Sequence, residues 1–138
     1  MEIEISLLPV TACICLVISI VEGWIMAFMR YLRIKTLQKL FPGYRYLVRS
    51  HVDFLIMAVL LFSIFCILSV INVTISKPVI VALIVGALYN PAGFILQAVN
   101  PEIADGDSLL IKSATLFGFI PATYGFGSVC LAVICKYI

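Results

Sequence analysis

Arg49, His51 and Asp53 stand at alternate positions in the run Arg49-Ser50-His51-Val52-Asp53, and His51 is the only histidine of the 138-residue chain. An imidazole at the mouth of an apolar segment can ligate a metal, relay a proton or rest against a lipid headgroup. On a helix Arg49 and Asp53 are four residues apart and close enough to pair. Interfacial anchoring and a local ion pair therefore stand beside the metal reading.

Other residues capable of chemistry are few. Glu22 is the one charged side chain in the apolar run 6–29. A carboxylate at such depth is costly and turns toward protein or a cavity, unless it lies near the interface and pairs with an arginine. Tyr89-Asn90-Pro91 and the aromatic, glycine-rich run around Pro121, which includes Tyr124, mark two irregular places inside apolar segments. Each is read either as a site wall or as a kink packed by small residues, with Asn90 bonded to a helix carbonyl. Cys13, Cys15, Cys66, Cys130 and Cys135 form no Cys-x-x-Cys pair and sit in or beside apolar runs. They read as small hydrophobes, not as a disulfide framework or a redox motif. Three carboxylates, Glu102, Asp105 and Asp107, fall in a turn-rich loop whose spacing matches no calcium loop.

Composition decides what carries these groups. The chain is 64% hydrophobic with a mean hydropathy of +1.21, well above the roughly half-apolar usage of soluble domains. A net charge of +2, with no basic-aromatic interleaving, offers nothing to nucleic acid. The expected fold is all-α: one transmembrane domain over 1–138, a bundle of four antiparallel spans in the lipid bilayer at about 6–29, 50–71, 78–98 and 109–135. Each is long enough, since about 20 residues cross the hydrocarbon core. The first is read as a retained helix, because Glu2 and Glu4 stand where a secretory signal carries basic residues.

The connectors orient the bundle. Arg30, Arg33, Lys35, Lys39, Arg45 and Arg49 occupy the segment 30–49 without an acid, broken by the Pro42-Gly43 turn signal. This places the loop on the cytoplasmic side and both termini opposite. The short 72–78 loop makes spans two and three neighbours; its Asn72-Val73-Thr74 sequon lies too near the membrane for use. Pro78 suits a first helical turn, and Asp107 or Ser108 is expected to cap the fourth span. Within the third span, Pro91 removes a backbone donor, so a freed carbonyl needs another partner. Gly86 and Gly93, and on the fourth span Gly118, Ala122 and Phe126, predict faces that let helices approach closely.

Three stretches together resemble one family. Arg49-Ser50-His51, then Tyr89-Asn90-Pro91-Ala92-Gly93-Phe94 with Asn100-Pro101, then Pro121-Ala122-Thr123-Tyr124-Gly125-Phe126-Gly127 followed by Leu131-Ala132-Val133-Ile134 look like styrene oxide isomerase, in the same order over roughly residues 45–135. The resemblance implies a four-helix membrane enzyme that holds haem b near the subunit interfaces of a homotrimer. His51 would be the axial ligand of the iron, with Arg49 pairing a propionate and Tyr89 beside the cofactor. The iron would act as a Lewis acid on a small apolar epoxide, opening it to a carbonyl compound. Two positions depart from the family: its asparagine six residues after the histidine falls on Met57, and its tyrosine after the Gly-Phe of the third span falls on Ile95. Asn90 or Tyr124 would have to substitute in this chain.

Two other classes compete. The trimeric membrane glutathione and eicosanoid enzymes also open their second helix with polar residues, and here Arg49, His51, Asp53 and Glu22 are comparable. The asparagine expected after Arg49 is absent, as is a later basic cluster to hold glutathione. A non-catalytic haem-binding or structural membrane subunit is the remaining alternative.

Overall fold

The structure, a computed structural model, describes residues 5–106 and 109–138. Four long helices dominate it: α1 (Leu7–Arg30), α3 (Tyr44–Ile71), α4 (Lys77–Val99) and α6 (Leu109–Tyr137). Two short ones lie in the connectors, α2 (Lys35–Leu40) and α5 (Glu102–Asp105). All four long helices contain a stretch apolar and long enough to cross a bilayer, so the chain is a multi-pass, all-α membrane protein. The positions expected to cap the fourth span, Asp107 and Ser108, lie outside the described residues, as do Glu2 and Glu4.

The helices pack in series. α1 lies along α3, α3 along α4, and α4 along α6, with a smaller contact between α1 and α4. On α1 the buried side chains Leu8, Thr11, Ala12, Cys15, Ser19, Glu22 and Met29 recur at spacings of three and four or their sum, which is one helical face. On α3 the matching face is Leu47, Ser50, Phe54, Ala58, Leu61 and Leu68. The remaining faces present Val17, Val59, Val70, Val81, Leu131 and Ile134, all well exposed. In water such a surface would aggregate; against lipid tails it is matched.

The second span begins earlier than the charge pattern predicts. Its helix starts at Tyr44, not near residue 50, so the Arg49-Ser50-His51 run lies in the second turn and not at the mouth. The Gly43 amide donates to Ala98 O of α4 at 2.9 Å. A Cβ there would come within 2.7 Å of Gln97 O, so only glycine allows this turn to seat against α4. From Tyr44 onward, Tyr46, Leu47 and Ser50 turn inward while Arg45 and Arg49 stay exposed. An amphipathic first turn thus reads as a basic loop when only charge is counted.

At the other end of α3, Asn72 adopts the left-handed conformation (φ 51°) and Val73 N–H reaches back to Leu68 O at 3.2 Å, a C-terminal cap that asparagine tolerates. Pro78 occupies the first turn of α4, as its missing N–H requires. α4 and α6 both continue through their internal prolines. The carbonyl that Pro91 leaves without its helical donor, Ala87 O, faces the buried thiol of Cys15 at 4.0 Å, a weak donor supplied by α1.

Small residues set the contact between α4 and α6. A Cβ on Gly86 would lie 2.8 Å from Ala122 Cα, and one on Gly125 would lie 2.9 Å from Leu83 N. Gly93 behaves differently from the sequence expectation: nothing described lies within 4 Å of the Cβ it lacks. On α6 the close-packed positions are Gly118, Ala122 and Gly125, with Phe126 only half-buried.

Candidate functional site

His51 sits half-buried between α3 and α1. Its Nδ1 is 2.8 Å from the carbonyl oxygen of Ser19 and 2.9 Å from the Ser19 hydroxyl. A carbonyl can only accept, so Nδ1 carries the proton and donates. The Ser19 hydroxyl in turn donates to His51 O at 3.1 Å, closing a reciprocal clasp between the two helices. Among the described residues Nε2 has no hydrogen-bond partner. A neutral ring held this way would carry its lone pair on Nε2. That is the form in which histidine ligates metals, its other nitrogen fixed by a carbonyl.

Gly23, one turn after Ser19, lies beside the ring: a Cβ there would stand in van der Waals contact, 3.4 Å from His51 Cε1. Between these two positions on α1 is Glu22, 3% exposed. Among the described residues it pairs with no arginine. Ser50 Oγ lies 2.6 Å from Glu22 Oε1 and 3.0 Å from Pro91 O, so one hydroxyl ties three helices. Glu22 also interacts electrostatically with His51, and its Oε2 is the buried side-chain oxygen left without a partner among the described residues. A seam of Ser19, Glu22, Ser50 and His51 therefore runs through the apolar interface of α1 and α3.

The remaining sequence candidates lie on other faces. Arg49 is exposed, its guanidinium 5.9 Å from the centre of the Tyr46 ring, and it interacts electrostatically with Asp53 one turn on. Arg45 stacks on the same ring at 4.7 Å and donates to Tyr46 Oη at 2.7 Å. Tyr89 and Asn90 turn toward α6: a Cβ on Gly118 would collide with Asn90 Oδ1 and approach Tyr89 Cδ1 to 2.9 Å. The Tyr89 ring meets Phe117 edge-on with centroids 5.6 Å apart. The Asn90 amide makes no hydrogen bond among the described residues, so it does not repair the proline gap; Cys15 does. Tyr124 lines an apolar cleft of about 600 Å³ between α4 and α6, with Lys77, Val81, Phe117 and Pro121. Within one chain Asn90 of α4 thus faces α6 and Tyr124 of α6 lines the cleft with α4, while His51 faces α1. Met57 and Ile95 both pack against the main apolar core.

Two partners of His51 escaped sequence reasoning, Ser19 and Gly23. The available signal was the polar spacing of Ser19 and Glu22, three apart in an otherwise apolar run. The chain matches no protein-family model, no curated protein and no solved structure.

Proposed function

We propose that this chain is a haem b membrane protein resembling styrene oxide isomerase, acting on a small apolar epoxide to give a carbonyl compound. The observation that carries the reading is the state of His51: Nδ1–H anchored on Ser19 O at 2.8 Å and Nε2 unbonded. That donor fits haem iron. When bound through His51, haem would supply Lewis-acid chemistry toward an epoxide oxygen.

The chain's own residues take the other roles. Ser19 and Gly23 orient the ring. Arg49, exposed two residues from the ligand, pairs a propionate. The cleft of α4 and α6 is not lined by His51, so a haem held by His51 would sit outside that cleft and would need a second copy to enclose it. A homotrimer satisfies this, with Tyr89, Asn90 and Tyr124 of a neighbouring copy brought toward the cofactor to orient the substrate and exclude water. The basic 30–49 segment faces the cytoplasm and both termini the opposite side.

One observation favours a second reading. Met57 and Ile95, where the family carries its asparagine and tyrosine, are half-buried and pack against the apolar core, which suits a non-catalytic haem-binding or structural membrane subunit.

The test is an absorption spectrum of the detergent-purified protein, expressed with haem supplied, beside His51→Ala and before and after dithionite. A Soret band lost in the variant supports the haem reading. A colourless wild type sinks it. If the band is present, turnover of an aryl epoxide by wild type, Asn90→Ala and Tyr124→Phe separates the isomerase from the non-catalytic subunit.

A further inference from the structure

Where α1 ends, the chain folds back to form a cleft of about 420 Å³ lined by Met29, Arg30, Gln38, Phe41, Pro42 and Tyr44. Its walls are fixed. Gln38 Nε2 donates to Met29 O at 3.1 Å, tying α2 to the end of α1, and Leu37 and Phe41 pack on the apolar cluster of Met29, Tyr46, Leu47 and Ala98. Lys35 and Lys39 stay exposed on the outer side of α2.

Arg30 lines the cleft, and the chain that forms it, 30–49, carries Arg30, Arg33, Lys35, Lys39, Arg45 and Arg49 with no carboxylate in sequence between Glu22 and Asp53. Among the described residues no acid pairs with Arg30, Arg33, Lys35 or Lys39. Arg30 is the last residue of the first span, so the cleft lies at the depth of lipid headgroups, where basic clusters attract anionic lipids.

We propose that this cleft binds the headgroup of an anionic phospholipid, Arg30 gripping the phosphate. Its guanidinium presents the fork that matches phosphate oxygens, and the Tyr44 hydroxyl adds a donor on the same rim. Met29, Phe41 and Pro42 offer an apolar wall to the glycerol and upper acyl segments. That apolar wall favours a lipid over a free phosphate. The site is independent of any cofactor at His51.

Native mass spectrometry of the delipidated, detergent-purified full chain tests it, with phosphatidylglycerol and phosphatidylcholine of identical acyl chains as probes. Phosphatidylglycerol should bind about tenfold tighter. Arg30→Gln should remove most of that preference, Arg30→Lys part of it, and Lys136→Gln, which deletes the same charge at the far end of α6, none. Thermal melting of each variant confirms that it is folded. Equal binding of the two lipids, or equal losses in Arg30→Gln and Lys136→Gln, overturns the site. Displacement of the lipid by millimolar inorganic phosphate assigns the cleft to a soluble anion and overturns the lipid.

Discussion

The Nδ1 of His51 lies 2.8 Å from the main-chain oxygen of Ser19, thirty-two residues away on the neighbouring helix. Because the acceptor is backbone, the tautomer is set by the docking of α1 on α3 and not by a side chain alone. In the apo protein, on the alkaline side of the imidazole titration, ¹⁵N NMR of labelled His51 should report a protonated Nδ1 and an unprotonated Nε2. Ser19→Ala keeps the carbonyl, so the tautomer should persist while stability falls by about 0.6–1.7 kcal/mol, the range for interhelical polar contacts in membranes. A protonated Nε2 in wild type would contradict the clasp and remove the support it gives to ligation, whatever the colour of the protein.

Ser50 has one proton and two oxygens within reach, Glu22 Oε1 at 2.6 Å and Pro91 O at 3.0 Å. The Pro91 carbonyl can only accept. An amide at position 22 can donate to Ser50 Oγ and free the hydroxyl for Pro91. Glu22→Gln should therefore be as stable as wild type or more so, whereas Ser50→Ala strips the buried carboxyl of its partner and should cost about 1–3 kcal/mol. Reversible unfolding in mixed micelles measures both. In the Glu22→Gln background, Ser50→Ala should cost less than in wild type; equal costs would mean that the two side chains are not coupled.

The four spans were legible because each is an apolar run longer than the hydrocarbon core is thick, a property of composition that packing does not alter. The start of α3 was not, since Arg45 and Arg49 mimic a loop until Tyr46, Leu47 and Ser50 are seen to share the inward face. Nor was α2, six residues long with only Leu37 and Leu40 apolar, which is tied to α1 by Gln38 bonding to Met29 O. His51 stood out by being the only histidine. Its partner Ser19 did not, because its spacing from Glu22 marks a polar stripe without naming what that stripe meets; the register of α1 on α3 selects it. Cys15 reads as a small hydrophobe, and it is one, yet its thiol also faces the carbonyl that Pro91 deprives of a donor. The proline signalled the vacancy, and only the helix arrangement names what fills it.

Glycines that look alike in the sequence should respond in opposite ways to an added methyl group. At Gly118 the methyl would meet Asn90 Oδ1 and the Tyr89 ring, and at Gly86 the backbone of Ala122, whereas at Gly93 nothing described lies within 4 Å. Overpacking a close helix crossing costs about 1–3 kcal/mol; replacing glycine by alanine in an open helical position gains up to about 1 kcal/mol. Gly118→Ala and Gly86→Ala should accordingly lower the unfolding midpoint, and Gly93→Ala should hold or raise it. α6 contacts the bundle chiefly through α4, so the first two variants should also loosen α6 specifically, seen as faster hydrogen exchange over residues 112–137 than over α1 and α3. If Gly93→Ala proves as damaging as Gly118→Ala, then a surface covers Gly93 that a single chain does not provide, as a neighbouring copy would.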